Sequence, residues 1–115
     1  MKRGEVWRIN LDPTIGSEIK KSRPCVVVNR NSIGVLPLKI VVPITGWQEK
    51  YKKAKWLIPI KASSHTGLQK KSVADTFQVR SVSHISFIEK IGLLTEHEMK
   101  EIEQGLLLSL DLENL

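Results

Sequence analysis

"LLTEHEMKEIEQGLLLSL", residues 93–110, carries its apolar residues at helical spacing. Met99, Ile102, Leu106 and Leu110 recur at intervals of 3, 4 and 4, which aligns them along one helix face. Thr95 followed by Glu98 is a capping box, in which hydroxyl and carboxylate satisfy backbone donors that the first turn leaves unpaired. Leu94 and Met99 are spaced to form a hydrophobic staple across that cap. Glu96 and Glu98 also suit the positive end of the helix dipole. A stripe of this kind has to lie on something, and everything before it reads as strand and turn.

Working back from the helix, "IEKIGLL" (88–94), "WLIPI" (56–60) and "LKIVVPIT" (38–45) are short strands, with Pro43 marking a bulge or edge position near the end of the last. "CVVVNR" (25–30) is β-branched and short, a central strand by composition. "GEVWRINL" (4–11) alternates Val6, Arg8 and Asn10 with Trp7, Ile9 and Leu11, the period of a half-buried strand. "KSVADTFQVRSV" (71–82) is one bent strand or two short ones, and "SHISF" (83–87) a helical turn. Asn31 to Gly34 and "ASSHTGL" (62–68) read as turns. Residues 12–24 read as a loop long enough to be functional or mobile, and 46–55 as a second polar loop. Short strands, Gly/Pro turns and one late helix predict a small, mostly antiparallel β-barrel with the helix over an open face.

With 115 residues the chain is expected to be a single domain, 1–115, around one core. Its 41% apolar and 26% charged residues are those of an ordinary globular protein, and no apolar run approaches the ~20 residues of a membrane span. "MKRGEVW" lacks the apolar run of a secretory signal, and the lone Cys25 cannot form an intrachain disulfide. Together these predict a cytoplasmic protein with no membrane association. The net charge of +6 is unevenly spread. Residues 1–60 hold twelve Lys/Arg against four Asp/Glu, whereas 93–115 hold one against six. So basic a body suits a phosphate backbone, although a solvated basic surface has the same composition.

There is no glycine-rich phosphate loop, no paired Cys or Cys/His metal spacing and no nucleophile elbow. His65, His84 and His97 lie far apart and read as ordinary histidines, and Cys25 as an inert core residue. The basic stretch "KKSRP" (20–24) is more informative. Pro24 holds Arg23 extended, and the strand that follows fixes its position. Its planar fork of donors suits phosphate, though a loop arginine in a surface ion pair is the competing reading. Thr45 ends a strand just before Gly46, where a hydroxyl is ordinarily a turn former. The two residues gain meaning if neighbouring strands bring their polar ends to one rim. Trp47 and Tyr51, interleaved with Lys50, Lys52, Lys53 and Lys55, form a candidate stacking surface beside charge, as single-stranded nucleic acid would use. Burial of either aromatic against the barrel is the alternative.

The order and spacing of several pieces resemble the MazF/PemK-type toxins of bacterial toxin–antitoxin systems. "KRGEVWRINLDPTIGSEIKKSRPCVVV" (2–28) is similar to the family's R-G-[DE]-[VI]-[WY] opening, its G-x-E and its R-P before an apolar strand. "IVVPIT" (40–45), "SV" (72–73), "QVRSV" (78–82) and "LTEHEMKEIEQGLLLSLDL" (94–112) continue the likeness over nearly the whole chain. The resemblance implies an SH3-like antiparallel β-barrel with a C-terminal helix, a homodimer, and metal-independent cleavage of single-stranded RNA, often mRNA, at short sequence motifs, with no cofactor. It places the reacting arginine and threonine on Arg23 and Thr45, and groove-shaping positions on Glu18 and Gln78. Lys20, Lys21, Trp47, Lys50 and Tyr51 join them as candidate substrate contacts.

One departure touches the chemistry. Many members of that family carry an acidic residue immediately before the glutamine, where this chain has Phe77. Strand alternation would put Asp75 on the same face, an imperfect substitute, and the general base is left open. The resemblance also implies a cognate antitoxin, an acidic segment with apolar anchors that folds on binding. Two other functions remain in view at this level: a CcdB-like toxin acting on DNA gyrase, and a non-catalytic RNA-binding module. The ending "LDLENL" lacks the terminal aromatic that the gyrase mode uses.

Overall fold

A computed structural model describes residues 1–33 and 37–113. Seven strands, β1 (Glu5–Asn10), β2 (Ser22–Val27), β3 (Leu38–Gly46), β4 (Leu57–Ile60), β5 (Ser72–Asp75), β6 (Arg80–Ser83) and β7 (Phe87–Leu93), precede one helix, α1 (Glu96–Leu110). All pairings are antiparallel, in the order β4-β5-β3-β2-β1-β7, with β6 on the first half of β3. The architecture is the expected one, a barrel-like antiparallel sheet with a C-terminal helix. Gly34 and the chain's last two residues fall outside the described residues, so the turn at Asn31 to Gly34 and the ending "LDLENL" are only partly covered.

β3 organises the sheet. Leu38–Val41 pair with β6 and Ile44–Gly46 with β5, so Val42 and Pro43 have no strand partner on that side. Pro43 therefore lies within the strand, at the handover, where its missing N–H disturbs no ladder on that side. β2 begins at Ser22, so the first polar loop ends sooner than the sequence suggests and Arg23 and Pro24 belong to a strand. Pro24 faces Arg8 across β1, and pairing with β3 starts only at Cys25. The unbroken apolar run "CVVV" is explained by burial on both faces. Val26 and Val28 pack with Val42, Ile44 and Ile102, whereas Cys25 and Val27 pack with Ile9, Leu11 and Val41. Cys25 is fully buried, which pushes its thiol up to about 12 and leaves it inert, as expected.

Residues 71–82 resolve into two short strands separated by a 3₁₀ turn at Thr76–Gln78, and a second such turn, Glu49–Lys53, lies inside the loop 46–55. The capping box at Thr95 and Glu98 is formed, and Leu94, Met99 and Ile102 are buried in the same cluster. Leu110, expected on the buried stripe, is 52% exposed. The inner face is continued by Gly105 and Ser109 instead, because the helix comes close to β4 and the 3₁₀ turn. A Cβ at Gly105 would lie 2.7 Å from Thr76 Cγ2, and Ser109 Oγ is 2.9 Å from Thr76 Oγ1. No leucine fits there.

Among the described residues β4 and β7, the ends of the sheet order, do not pair. The loop after β4 fills the gap: the Leu93 N–H donates to His65 O at 2.7 Å. Glycines make this possible. A Cβ on Gly67, whose φ is +73°, would sit 1.8 Å from Ile91 O, and one on Gly92 would sit 2.1 Å from Thr66 O.

Glu5 ties β1 to β7 and to the N-terminus. Burial alone would push its carboxyl up, but the Lys2 N–H, the Trp7 indole N–H at 2.9 Å, Lys90 at 3.2 Å and the terminal ammonium together hold it at about 2. A depressed carboxyl contributes stability above its unfolded value, about 4.5, and loses it as pH falls from there towards about 2. Glu5→Gln is expected to remove about 1 kcal/mol at neutral pH and to flatten that part of the acid limb. Thermal melts from pH 7 to pH 2 check this; parallel curves for the two proteins would contradict it.

Candidate active site

The β2–β3 register pairs Cys25 with Pro43 and Val26 with Val42. Carried two residues further, it sets Arg23 across from Thr45, because position numbers in an antiparallel pair sum to a constant. Both residues line one pocket of about 330 Å³, open to solvent, at the end of the sheet. Sequence reasoning required their two strands to bring polar ends to one rim, and the structure does so. Ile44, Leu68 and Ile91 give the pocket apolar walls. Its polar lining adds Arg8, Gln69, Lys70 and Ser72, none of which the sequence reading selected.

Among the described residues no aspartate or glutamate lines the pocket, while three cations do. Arg8 has a carboxylate at hand, Glu89 at 3.4 Å. The Arg23 side chain makes one hydrogen bond among the described residues, from Nε to Lys20 O at 3.2 Å, leaving its terminal donors for a ligand. Its backbone is well fixed. The Leu11 N–H donates to Lys21 O and the Lys21 N–H to Asp12 Oδ1, both at 3.0 Å, clamping the two ends of the loop just before β2. Lys21 adopts a positive φ of 67° at this clamp. The chemistry on offer is binding of an anion, with a planar guanidinium and a hydroxyl as its donors.

The other sequence-selected residues divide between places. Glu18 and Gln78 line a neighbouring depression with Phe77 and Arg80. Glu18 Oε1 accepts from the Ile15 N–H at 2.6 Å, and Gln78 Oε1 from the Ile19 N–H at 2.7 Å, so both shape the loop before β2. Lys20 and Lys21 are exposed on that loop. Trp47 is half-buried, with Lys71 Nζ 4.0 Å from its ring centroid; Tyr51 is half-buried, with Lys50 Nζ at 5.7 Å. Trp47 thus has a cation on its ring, and none of Trp47, Lys50 and Tyr51 lines the pocket of Arg23 and Thr45.

Asp75 departs from its expected place. Its carboxylate accepts from the Phe77 N–H at 3.1 Å, capping the 3₁₀ turn, and from Gln78 Nε2 at 3.0 Å. Alternation fails here because the strand ends at Asp75 and the chain turns, which leaves Phe77 70% exposed on the turn. Asp75 does not line the pocket.

A family model described as "PemK-like, MazF-like toxin of type II toxin-antitoxin system" matches residues 2–110. The chain belongs to that family. It is 32% identical over 118 residues to Endoribonuclease MazF9 of Mycobacterium tuberculosis, covering 97% of this chain and 98% of the relative. It is 33% identical over 117 residues to Endoribonuclease MazF of Staphylococcus saprophyticus, covering 100% and 95%. Among solved structures it is similar to a mycobacterial endoribonuclease in complex with its cognate antitoxin, with a TM-score of 0.78 at 17% identity, covering 100% of this chain and 99% of the other. That last likeness bears on the fold alone.

In this PemK/MazF-like chain Arg23 and Thr45 line one pocket, and Phe77, not an acid, precedes Gln78. Arg8, Gln69, Lys70 and Ser72 went unselected for different reasons. Arg8 lies inside an alternating strand, with nothing beside it in sequence to single it out. "GLQKKSV" (67–73) repeats the pattern of "KKSRPC", two basic residues just before a strand, and that signal could have nominated Lys70.

Proposed function

We propose that this chain is an endoribonuclease toxin that cleaves single-stranded RNA at short sequence motifs, the scissile phosphate seated between Arg23 and Thr45. The observation that carries the reading is their shared, solvent-open, carboxylate-free pocket. The two curated relatives, named as endoribonucleases, support it. The nucleophile comes from the substrate: the 2′-hydroxyl attacks phosphorus, the P–O5′ bond breaks, and the products are a 2′,3′-cyclic phosphate and a 5′-hydroxyl. The protein holds the three atoms in line and stabilises the growing charge on the non-bridging oxygens. Arg23 supplies the opposing positive charge, and Thr45 donates a hydrogen bond to one such oxygen. Asp75, engaged in capping its turn, is assigned no part as base. Metal independence follows from the family resemblance, and a substrate hydroxyl needs no metal-activated water.

Cleavage is expected to persist in EDTA and to stop when the 2′-hydroxyl at the target is methylated. End-mapping of a long RNA locates the motif, and matched oligonucleotides then test both. Turnover of the methylated strand would remove the mechanism; binding without cleavage of any RNA in a mixed pool would favour a non-catalytic module.

The acting species is proposed to be a cytoplasmic homodimer restrained by a cognate antitoxin. No described helix is long and apolar enough to cross a membrane. A solved structure of the same fold is an endoribonuclease in complex with its cognate antitoxin. The basic surface around Lys50, Lys53 and Lys55 suits an acidic segment of such a partner.

A further inference from the structure

Lys70 reaches the pocket from the side opposite Arg23. β3 lies between β2 and β5 in the sheet, so Thr45 has Arg23 towards one neighbouring strand and, towards the other, Val73 of β5, three residues after Lys70 in the segment that leads into that strand. Gly46 makes room for the lysine. A Cβ there would lie 3.1 Å from both Cε and Nζ of Lys70, so the end of that side chain passes over the backbone next to Thr45. The segment is held in place: Ser72 Oγ donates to Lys70 O at 2.9 Å and the Trp47 N–H to Lys71 O at 3.0 Å. The two consecutive lysines point to different tasks. Lys71 lies over the Trp47 ring, whereas Lys70 lines the pocket. Among the described residues the Lys70 ammonium makes no hydrogen bond or ion pair, and no carboxylate lines the pocket to receive it.

We infer that Lys70 is a second cationic contact to the scissile phosphate, flanking Thr45 on the side away from Arg23. The inference rests on the ribonuclease reading above. A phosphodiester carries one negative charge, and the five-coordinate species formed by 2′-hydroxyl attack carries close to two once the attacking proton has left. A second cation is therefore worth more in the transition state than in the ground state and acts on the rate of the bound complex. The O2′–P bond forms, the P–O5′ bond breaks, the 2′-hydroxyl proton passes to water and the 5′-oxygen takes one from water. Lys70 remains an ammonium throughout.

The test is single-turnover cleavage of an end-mapped RNA at saturating enzyme. Lys70→Ala is expected to lower the saturated rate about 10- to 100-fold, with an unchanged melting temperature, and Lys70→Arg to restore most of it. Lys100→Ala, which removes the same unit of charge from an exposed site on α1, should leave the saturated rate unchanged. A normal saturated rate in Lys70→Ala, or a loss confined to affinity, overturns the inference. Failure of Lys70→Arg to recover activity also counts against it, since charge is the property invoked. Arg23→Ala run alongside separates the two levels. No cleavage by the unaltered protein means the ribonuclease assignment itself has failed, an active Arg23→Ala protein means the scissile phosphate does not sit in this pocket, and an inactive one beside a fully active Lys70→Ala refutes only the role of Lys70.

Discussion

Arg23→Ala is expected to lower single-turnover RNA cleavage at least ~10²-fold while the protein folds and melts as before. A charge-assisted donor aimed at developing charge in a confined site is typically worth that much in rate. The fold should scarcely notice the loss. Arg23 is exposed, and its side chain's one hydrogen bond among the described residues runs to the Lys20 carbonyl at 3.2 Å, a surface contact of little net worth. Nor does the change touch either apolar cluster. Arg23→Lys should recover only part of the rate, because an ammonium keeps the charge but not the two-pronged geometry that can span two phosphate oxygens. Rates on one mapped substrate, with melting curves for all three proteins, decide the matter. Wild-type turnover in a folded Arg23→Ala protein would clear this residue of the role and leave the pocket without its principal anion contact.

The second large effect is on stability. Gly92→Ala and Gly67→Ala should each cost more than about 4 kcal/mol, enough to leave much of the protein unfolded or insoluble. The atoms in the way are backbone carbonyl groups, Thr66 O at 2.1 Å for Gly92 and Ile91 O at 1.8 Å for Gly67, which no rotamer change can move aside. A methyl at either place forces the loop off β7, and with it the Leu93-to-His65 hydrogen bond that joins the two ends of the sheet. Since each substitution breaks the same contact, the double variant should cost well short of the sum. Gly16 supplies the comparison. Its φ is +61° but nothing lies within 4 Å of an added Cβ, so Gly16→Ala should cost only about 1 kcal/mol of backbone strain. Urea titrations of the set test this; a Gly92→Ala protein as stable as Gly16→Ala would show that the loop and β7 separate without penalty. Gly67, Leu68 and Ile91 also line the Arg23–Thr45 pocket, so a surviving variant should cleave poorly.

Features written within a few adjacent residues were readable from the sequence. The capping box at Thr95 and Glu98 and the staple of Leu94 on Met99 are contacts within five positions, and both formed. The strands followed from alternation or from β-branched runs, and Arg23 next to Pro24 announced an extended arginine at a strand's start. Errors arose where a distant neighbour overrode a local pattern. Leu110 continues the helical spacing, yet the close approach of α1 to Thr76 gives that face to Gly105 and Ser109. Asp75 and Phe77 alternate on paper, but the 3₁₀ turn after β5 withdraws the carboxylate into a cap.

The sequence by itself thus determined the elements, their order, the basic character of the body and two of the polar residues that line the pocket, because propensity, periodicity and capping act over a turn or a strand's length. Only the tertiary structure decided that positions 8, 23, 45 and 70 share a pocket, and that a glycine pair rather than a strand ladder joins β7 to the loop after β4. Those outcomes depend on strand register and on backbone separations measured in tenths of an ångström. Neither quantity is carried by any short run of residues; both are fixed only when the two apolar clusters pack and choose one alignment of the strands.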